Sequence, residues 1–85
     1  MDNIMSYTIM FYNDNGYVKY TVERVIELDL ESTYFYLSCT TKRYKYILNR
    51  NNNILSQYER DGNIAIRQVF DIISYRIIKN GCVYV

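Results

Sequence analysis

The residues best suited to bind a ligand lie between positions 32 and 58 of this 85-residue chain. This stretch contains no acidic residue and four basic ones: Lys42, Arg43, Lys45 and Arg50. Tyr44 and Tyr46 are interleaved with these bases. Basic side chains pair with phosphates, and flat aromatic rings stack on nucleobases. Many proteins bind single-stranded nucleic acid in this way. The pattern predicts a surface for nucleotides or single-stranded nucleic acid. The alternative is a solvated strand whose bases face the acidic strand before it.

Groups that catalyse reactions are scarce in this sequence. There is no histidine, so neither a Ser-His nor a Cys-His nucleophile pair can form, and none of the three glycines lies in a phosphate-binding loop. Glu27, Asp29 and Glu31 share one strand face and can hold a divalent cation or act as an acid–base pair. A solvated polar edge is the commoner role of such a row. We expect a non-enzymatic protein without a cofactor.

The two cysteines, Cys39 and Cys82, fit no zinc spacing. A disulfide between them is one alternative, and two buried thiols in a reducing cytosol are the favoured one. The opening residues 1–4 carry no positively charged segment, so a secretory signal is not expected. No apolar run approaches the ~20 residues that cross a membrane. The sequence therefore predicts a cytoplasmic protein with no membrane partner.

The composition indicates one folded domain spanning residues 1–85. A hydrophobic fraction of 49% and a net charge of +1 exclude a disordered chain. Tyrosine is unusually abundant, at 11 residues. Its rings suit either the shallow core of a small β-rich domain or a contact surface. Low net charge opposes self-association poorly, so a homodimer is also expected.

The first half of the chain reads as strands. Residues 5–12 alternate and are rich in strand formers, and Asn15-Gly16 is a strong hairpin signal. Residues 17–30 read as one long strand in which Arg24 falls on the apolar parity. A polar residue there predicts a bulge or a sharp bend. Further strands are predicted at 34–39, 43–48 and 54–58.

The last third of the chain shows a different spacing. Within 64–79 the apolar residues fall at helical intervals, at Ile66, Val69, Phe70, Ile73 and Ile77. We predict a helix there, with Phe70 in the core, although the abundance of isoleucine leaves a strand as the alternative. A short last strand follows from Cys82. The predicted fold class is α+β. It consists of a strongly bent antiparallel β-meander (a small SH3-like barrel) of four to six strands, with one C-terminal helix packed on it and that short last strand.

Three segments between residues 7 and 50 carry a resemblance to a known family. They are Thr8-Ile9-Met10-Phe11-Tyr12-Asn13-Asp14-Asn15-Gly16, Tyr34-Phe35-Tyr36-Leu37 and Tyr46-Ile47-Leu48-Asn49-Arg50. Together they resemble a WYL domain, with Phe35 where that family has Trp and Asn49 where it has an acid. The resemblance implies a small SH3-like or Sm-like barrel that senses nucleotides or single-stranded nucleic acid. Tyr36 and Arg50 are the positions that match its motifs.

Two functions follow from these observations. The first is a binding or regulatory protein that recognises a nucleotide, single-stranded nucleic acid or a nucleic-acid-processing complex. Its candidate contact residues are Tyr36, Arg43, Tyr44, Lys45 and Arg50. The second is a phage or mobile-element inhibitor of a host defence complex that acts by protein contact, as anti-CRISPR proteins do. Small size, a single domain and the lack of catalytic groups suit this second function.

Overall fold

The computed structural model describes residues 6–30 and 35–84. All regular secondary structure in these ranges consists of β-strands. There are nine in these ranges: β1 (Tyr7–Tyr12), β2 (Val18–Val25), β3 (Glu27–Asp29), β4 (Tyr36–Thr40), β5 (Tyr44–Asn49), β6 (Ile54–Glu59), β7 (Ala65–Val69), β8 (Ser74–Lys79) and β9 (Cys82–Val83). No helix in the described part of the chain is long and apolar enough to cross a membrane.

The strands form two open antiparallel sheets. One has the order β2-β1-β8-β9 and the other the order β3-β4-β5-β6-β7. β1 pairs with β8 along its whole length, from Tyr7 opposite Lys79 to Tyr12 opposite Ser74. Because side chains alternate between the faces of a sheet, each sheet presents one row of apolar residues to the other. These rows form a single core: Ile9, Phe11, Val22, Val25, Leu37, Cys39, Tyr46, Leu48, Leu55, Ile72 and Ile77.

The long strand predicted over 17–30 is broken by a bend, as the sequence indicated. Arg24 has a φ of 59°, and the pairing of β1 with β2 shifts between Ile9 opposite Val22 and Tyr7 opposite Val25. The extra residue in β2 forms a β-bulge, which places Val22 and Val25 on the same buried face of the sheet. Ile26 then donates its backbone N–H to the Thr40 carbonyl at 2.8 Å, and β3 begins. One continuous segment therefore supplies an edge strand to each sheet.

The predicted α+β class is wrong, because the segment expected to be a helix over 64–79 forms β7 and β8. β7 pairs with β6, and β8 pairs with β1 in the other sheet. Asp71 lies between them with a φ of 62°, a conformation that interrupts a right-handed helix. The described part holds nine strands in two open sheets, not a closed SH3-like barrel of four to six. Isoleucine and valine, which are stiff at χ1, favour this extended arrangement.

The residues at helical spacing do not share one buried side. Ile66, Phe70 and Ile73 are exposed, with Phe70 at 52%, whereas Ile77 is fully buried. Ile72 is buried instead, and its N–H donates to the Asn53 carbonyl at 2.9 Å. The prediction that Phe70 fills the core is therefore wrong, and Phe11 is the aromatic residue at its centre.

Smaller predictions fared differently. The hairpin at Asn15-Gly16 is confirmed: Gly16 has a φ of 82°, and the Asn13 Oδ1 accepts the N–H groups of Asn15 and Tyr17 at 3.0 and 2.9 Å. The last strand is β9, paired with β8. Both thiols are free, Cys39 buried and Cys82 exposed, so the expectation of two buried thiols holds only for Cys39.

Replacing Phe11 or Phe70 by alanine separates the observed fold from the helical alternative. Phe11→Ala is expected to lower the free energy of unfolding by about 3–5 kcal/mol, because it empties part of the core. Phe70→Ala is expected to cost less than half as much, because its ring is half-exposed. Urea unfolding followed by circular dichroism measures both. Equal losses for the two variants would contradict the strand assignment of 64–79.

Candidate ligand-binding site

The five residues that the sequence marked as ligand contacts lie in two places. Pairing of Tyr36 with Asn49 brings Tyr36 next to Arg50 at one end of β4 and β5. Arg43, Tyr44 and Lys45 lie at the other end, where Lys45 pairs with Thr40. At a rise of about 3.4 Å per residue, five residues of β5 separate Lys45 from Arg50 by roughly 17 Å. The two groups therefore belong to different parts of one sheet.

Tyr36 and Arg50 line an open cavity of about 530 Å³, here called the Arg50 pocket. Its other lining residues are Leu30, Phe35, Leu37, Asn51 and Tyr75. Leu37 is buried and forms an apolar floor, while Phe35 and Tyr36 are exposed by 50% and 41%. The Arg50 guanidinium carbon lies 5.6 Å from the centre of the Tyr75 ring, within the range of a cation–π contact. The pocket thus combines flat rings with one permanent positive charge.

Backbone contacts hold this arrangement in place. The Arg50 N–H donates to the Phe35 carbonyl at 2.7 Å, which ties the turn after β5 to the residue before β4. Asn49 accepts the Asn51 N–H on its Oδ1 at 2.9 Å, and Asn53 adopts a φ of 61°. Asparagine tolerates such left-handed conformations, so the asparagine-rich sequence of 49–53 is what allows the turn. A guanidinium held in this way can bind a phosphate or carboxylate with two hydrogen bonds.

Alternation along β5 separates the other predicted residues. Tyr44 and Tyr46 point into the sandwich, and Lys45 lies on the outer face of the five-stranded sheet. Tyr46 is buried, its hydroxyl accepts a hydrogen bond from Gln57 Nε2 at 3.0 Å, and its ring lies 6.2 Å from that of Tyr20. The interleaved bases and tyrosines of 42–46 therefore do not form one stacking surface.

Arg43 and Lys45, at the start of β5, each contact a tyrosine ring. The Arg43 guanidinium carbon lies 5.5 Å from the Tyr44 ring centre, and the Lys45 Nζ lies 5.2 Å from that of Tyr58. Tyr58 faces Lys45 across the β5–β6 pairing. Sequence reasoning missed Tyr58 and Tyr75. The only signal for Tyr58 was the register of the β5–β6 hairpin, and Tyr75 lay inside the segment predicted to be a helix.

The acidic row lies on the edge strand of the same sheet. Glu27 and Asp29 are opposite Thr40 and Ser38 in the β3–β4 pairing, and the four line a depression at the β3 edge. Glu31 lies outside the described residues. Within 6–30 and 35–84 no group of three or more acidic, cysteine or histidine side chains is arranged to hold a metal ion.

Comparisons of the chain with protein-family models, curated proteins and solved structures gave no match. The resemblance to WYL domains rests on its motifs between residues 7 and 50 and stays a prediction.

Alkaline pH is expected to weaken the fold through two buried groups. Burial raises the pKa of the Cys39 thiol from 9.0 to about 12. Burial, followed by the proximity of Tyr20, raises the pKa of Tyr46 from 10.0 to about 12. The folded chain keeps these protons where the unfolded chain loses them, so the stabilisation is complete below pH 9 and declines between about pH 9 and 12.

Urea midpoints measured across this range test the expectation. Cys39→Ala and Tyr46→Phe should each make the alkaline decline shallower, because each removes one raised pKa. Tyr17→Phe is the matched control, since Tyr17 is exposed and should leave the slope unchanged. A decline that is equally steep in all three variants would mean that neither buried group causes it.

Proposed function

We propose that this chain is a non-enzymatic binding protein whose Arg50 pocket holds a nucleotide or the end of a single-stranded nucleic acid. One observation carries the proposal: the Arg50 guanidinium and the Tyr75, Phe35 and Tyr36 rings line the same open cavity. A flat base would lie over the apolar floor formed by Leu37, and a phosphate would pair with Arg50. Base–aromatic stacking of this kind contributes about 1–3 kcal/mol per base.

Charge favours an anionic ligand at this pocket. Residues 32–58, which supply Phe35, Tyr36, Arg50 and Asn51, contain four basic residues and no acidic one. The remainder of the chain carries the nine acidic residues. Arg50 is the one basic residue that lines the pocket, and the other three lie at the opposite end of β5, so the pocket has a local positive charge although the protein is nearly neutral.

The family resemblance supports the same assignment. Tyr36 and Arg50 match the motifs of WYL domains, and the resemblance implies a module that senses nucleotides or single-stranded nucleic acid. Both residues line the Arg50 pocket. A regulatory role would then follow from ligand occupancy of this pocket.

Titration of the protein with nucleoside monophosphates and a short oligonucleotide tests the proposal. Arg50→Gln is expected to weaken binding about tenfold or more, because it removes a charged hydrogen-bonding partner. Phe35→Ala should also weaken it through lost stacking. Arg76→Gln changes the same charge on β8, on the outer face of the other sheet, and should bind like the parent protein.

Binding should also weaken steeply as salt increases, because phosphate contacts release counterions. A ligand affinity that changes neither with salt concentration nor in the Arg50→Gln variant would contradict the proposal. Turnover of any of these ligands would also contradict it.

A second function, inhibition of a host or nucleic-acid-processing complex by protein contact, is favoured by a different feature. β7 is an edge strand of the five-stranded sheet, and Ile64, Ile66 and Phe70 on or beside it are exposed, Ile64 by 82%. Edge strands pair with extended segments of partner proteins, and apolar side chains add affinity. This is how a small phage or mobile-element protein resembling anti-CRISPR proteins would bind its target.

A pull-down from bacterial lysate, with and without nuclease, tests this second function. Ile66→Lys should abolish capture of a partner protein, because it places a charge on the β7 edge. Val83→Lys, which alters an exposed residue of β9 in the other sheet, should leave capture intact. Capture that disappears with nuclease, or survives Ile66→Lys, would argue against an interface at β7.

A further inference from the structure

The Arg50 pocket borders a depression on the outer face of the five-stranded sheet. Tyr36 lines that pocket and also a second depression of about 330 Å³ on the outer face. Ile47, Asn49, Ser56 and Tyr58 are among the residues lining this second depression. Tyr36 is thus the shared wall between an aromatic pocket and a groove that crosses β4, β5 and β6.

The groove ends at a second pair of a cation and a tyrosine. Lys45 lies over the Tyr58 ring at 5.2 Å, as Arg50 lies over the Tyr75 ring at 5.6 Å. The backbone positions of Lys45 and Arg50 are five residues apart, or roughly 17 Å at a rise of about 3.4 Å per residue. Two positive charges on one path suit non-adjacent phosphates of one strand better than the single phosphate of a mononucleotide.

Charge also decides which part of the outer face such a chain can follow. Glu27 and Asp29 lie on the same face at the β3 edge. They would repel phosphates there, whereas β4, β5 and β6 between Tyr36 and Tyr58 carry no acidic side chain. The path from Arg50 to Lys45 along β5 and β6 is therefore the one that favours a polyanion.

The middle of the path offers uncharged hydrogen-bonding groups. Asn49 and Asn52 use their amide oxygens to accept backbone N–H groups of Asn51 and Ile54, at 2.9 and 3.2 Å. Their amide nitrogens are then the donors that a ligand meets. The Ser56 hydroxyl, beside Gln68, adds a further polar group. Such groups suit base edges and the 2′-hydroxyl of ribose, which both donates and accepts.

Building on the proposed function, we propose that this path, from the Arg50 pocket over Tyr36 to Lys45, binds single-stranded RNA. A terminal base lies in the Arg50 pocket and its phosphate pairs with Arg50. The following nucleotides cross Tyr36 and the outer face, and a later phosphate reaches Lys45 beside Tyr58. The ligand class is thereby a short RNA strand, not a free nucleotide.

Fluorescence anisotropy with oligoadenylates of one, two, four and eight nucleotides, in ribose and deoxyribose forms, tests the proposal. Affinity should rise with length until the strand reaches Lys45 and then level off. RNA should bind more tightly than DNA of equal length. Two phosphate contacts predict a slope of log affinity against log salt of about −1.4, and Lys45→Gln should reduce it to about −0.7.

Variants at the far end of the path give the sharper readout. Tyr58→Ala and Lys45→Gln should weaken binding of the longer RNA several-fold and leave binding of adenosine monophosphate unchanged. Tyr58→Phe should bind normally because it keeps the ring, and Arg76→Gln is the charge-matched control. Inorganic polyphosphate should compete poorly, since it has no base to stack.

The outcomes separate this inference from the function on which it rests. Arg50-dependent binding of the mononucleotide with no gain from length, or equal binding of DNA and RNA, would overturn the RNA path alone. If neither mononucleotides nor oligonucleotides bind in an Arg50-dependent way, the proposed function itself fails. Tight competition by polyphosphate would mean that the surface recognises negative charge alone, and this result would also contradict the RNA path.

Discussion

The bend between β2 and β3 is the constraint on which the rest of the structure depends. Without the extra residue at Arg24, strict alternation would expose either Val22 or Val25, and both are buried in the core. The same bend lets one segment serve as the edge of both sheets. The five-stranded sheet consequently has one face covered by β1, β2 and β8. Its other face is left open, and the proposed RNA path runs from the Arg50 pocket onto it.

Alternation along β5 then determines which residues can act together. Tyr44, Tyr46 and Leu48 belong to the covered face, where Tyr46 forms hydrogen bonds and ring contacts inside the protein. Lys45 belongs to the open face and Arg50 to the turn beyond it. The aromatic residues therefore have two roles in this structure. Some fill the sandwich, and a few at strand ends pair with cations on the surface.

Local signals in the sequence were enough to predict the strands of residues 7–59, the Asn15-Gly16 turn and the bend at Arg24. They failed over 64–79, because apolar residues spaced at intervals of three and four are typical of a helix, yet the segment divides between two sheets. β7 pairs with its neighbour β6, but β8 pairs with β1, which lies far away in sequence, and local spacing does not report that pairing. The candidate site shows the same limit. Tyr36 and Arg50 were identifiable from short motifs, whereas Tyr58 and Tyr75 join them only through strand register.

The pairing of β1 with β8 has a consequence for how this protein folds while it is being synthesised. β1 leaves the ribosome well before its partner, which lies about 70 residues later, at Ser74–Lys79. Until β8 is made, the β1–β2 hairpin has an unpaired edge along β1. The β4–β5–β6 meander, whose contacts are local, has all its strands much earlier. The nascent chain must therefore keep the unpaired edge of β1 from pairing wrongly until β8 has been made.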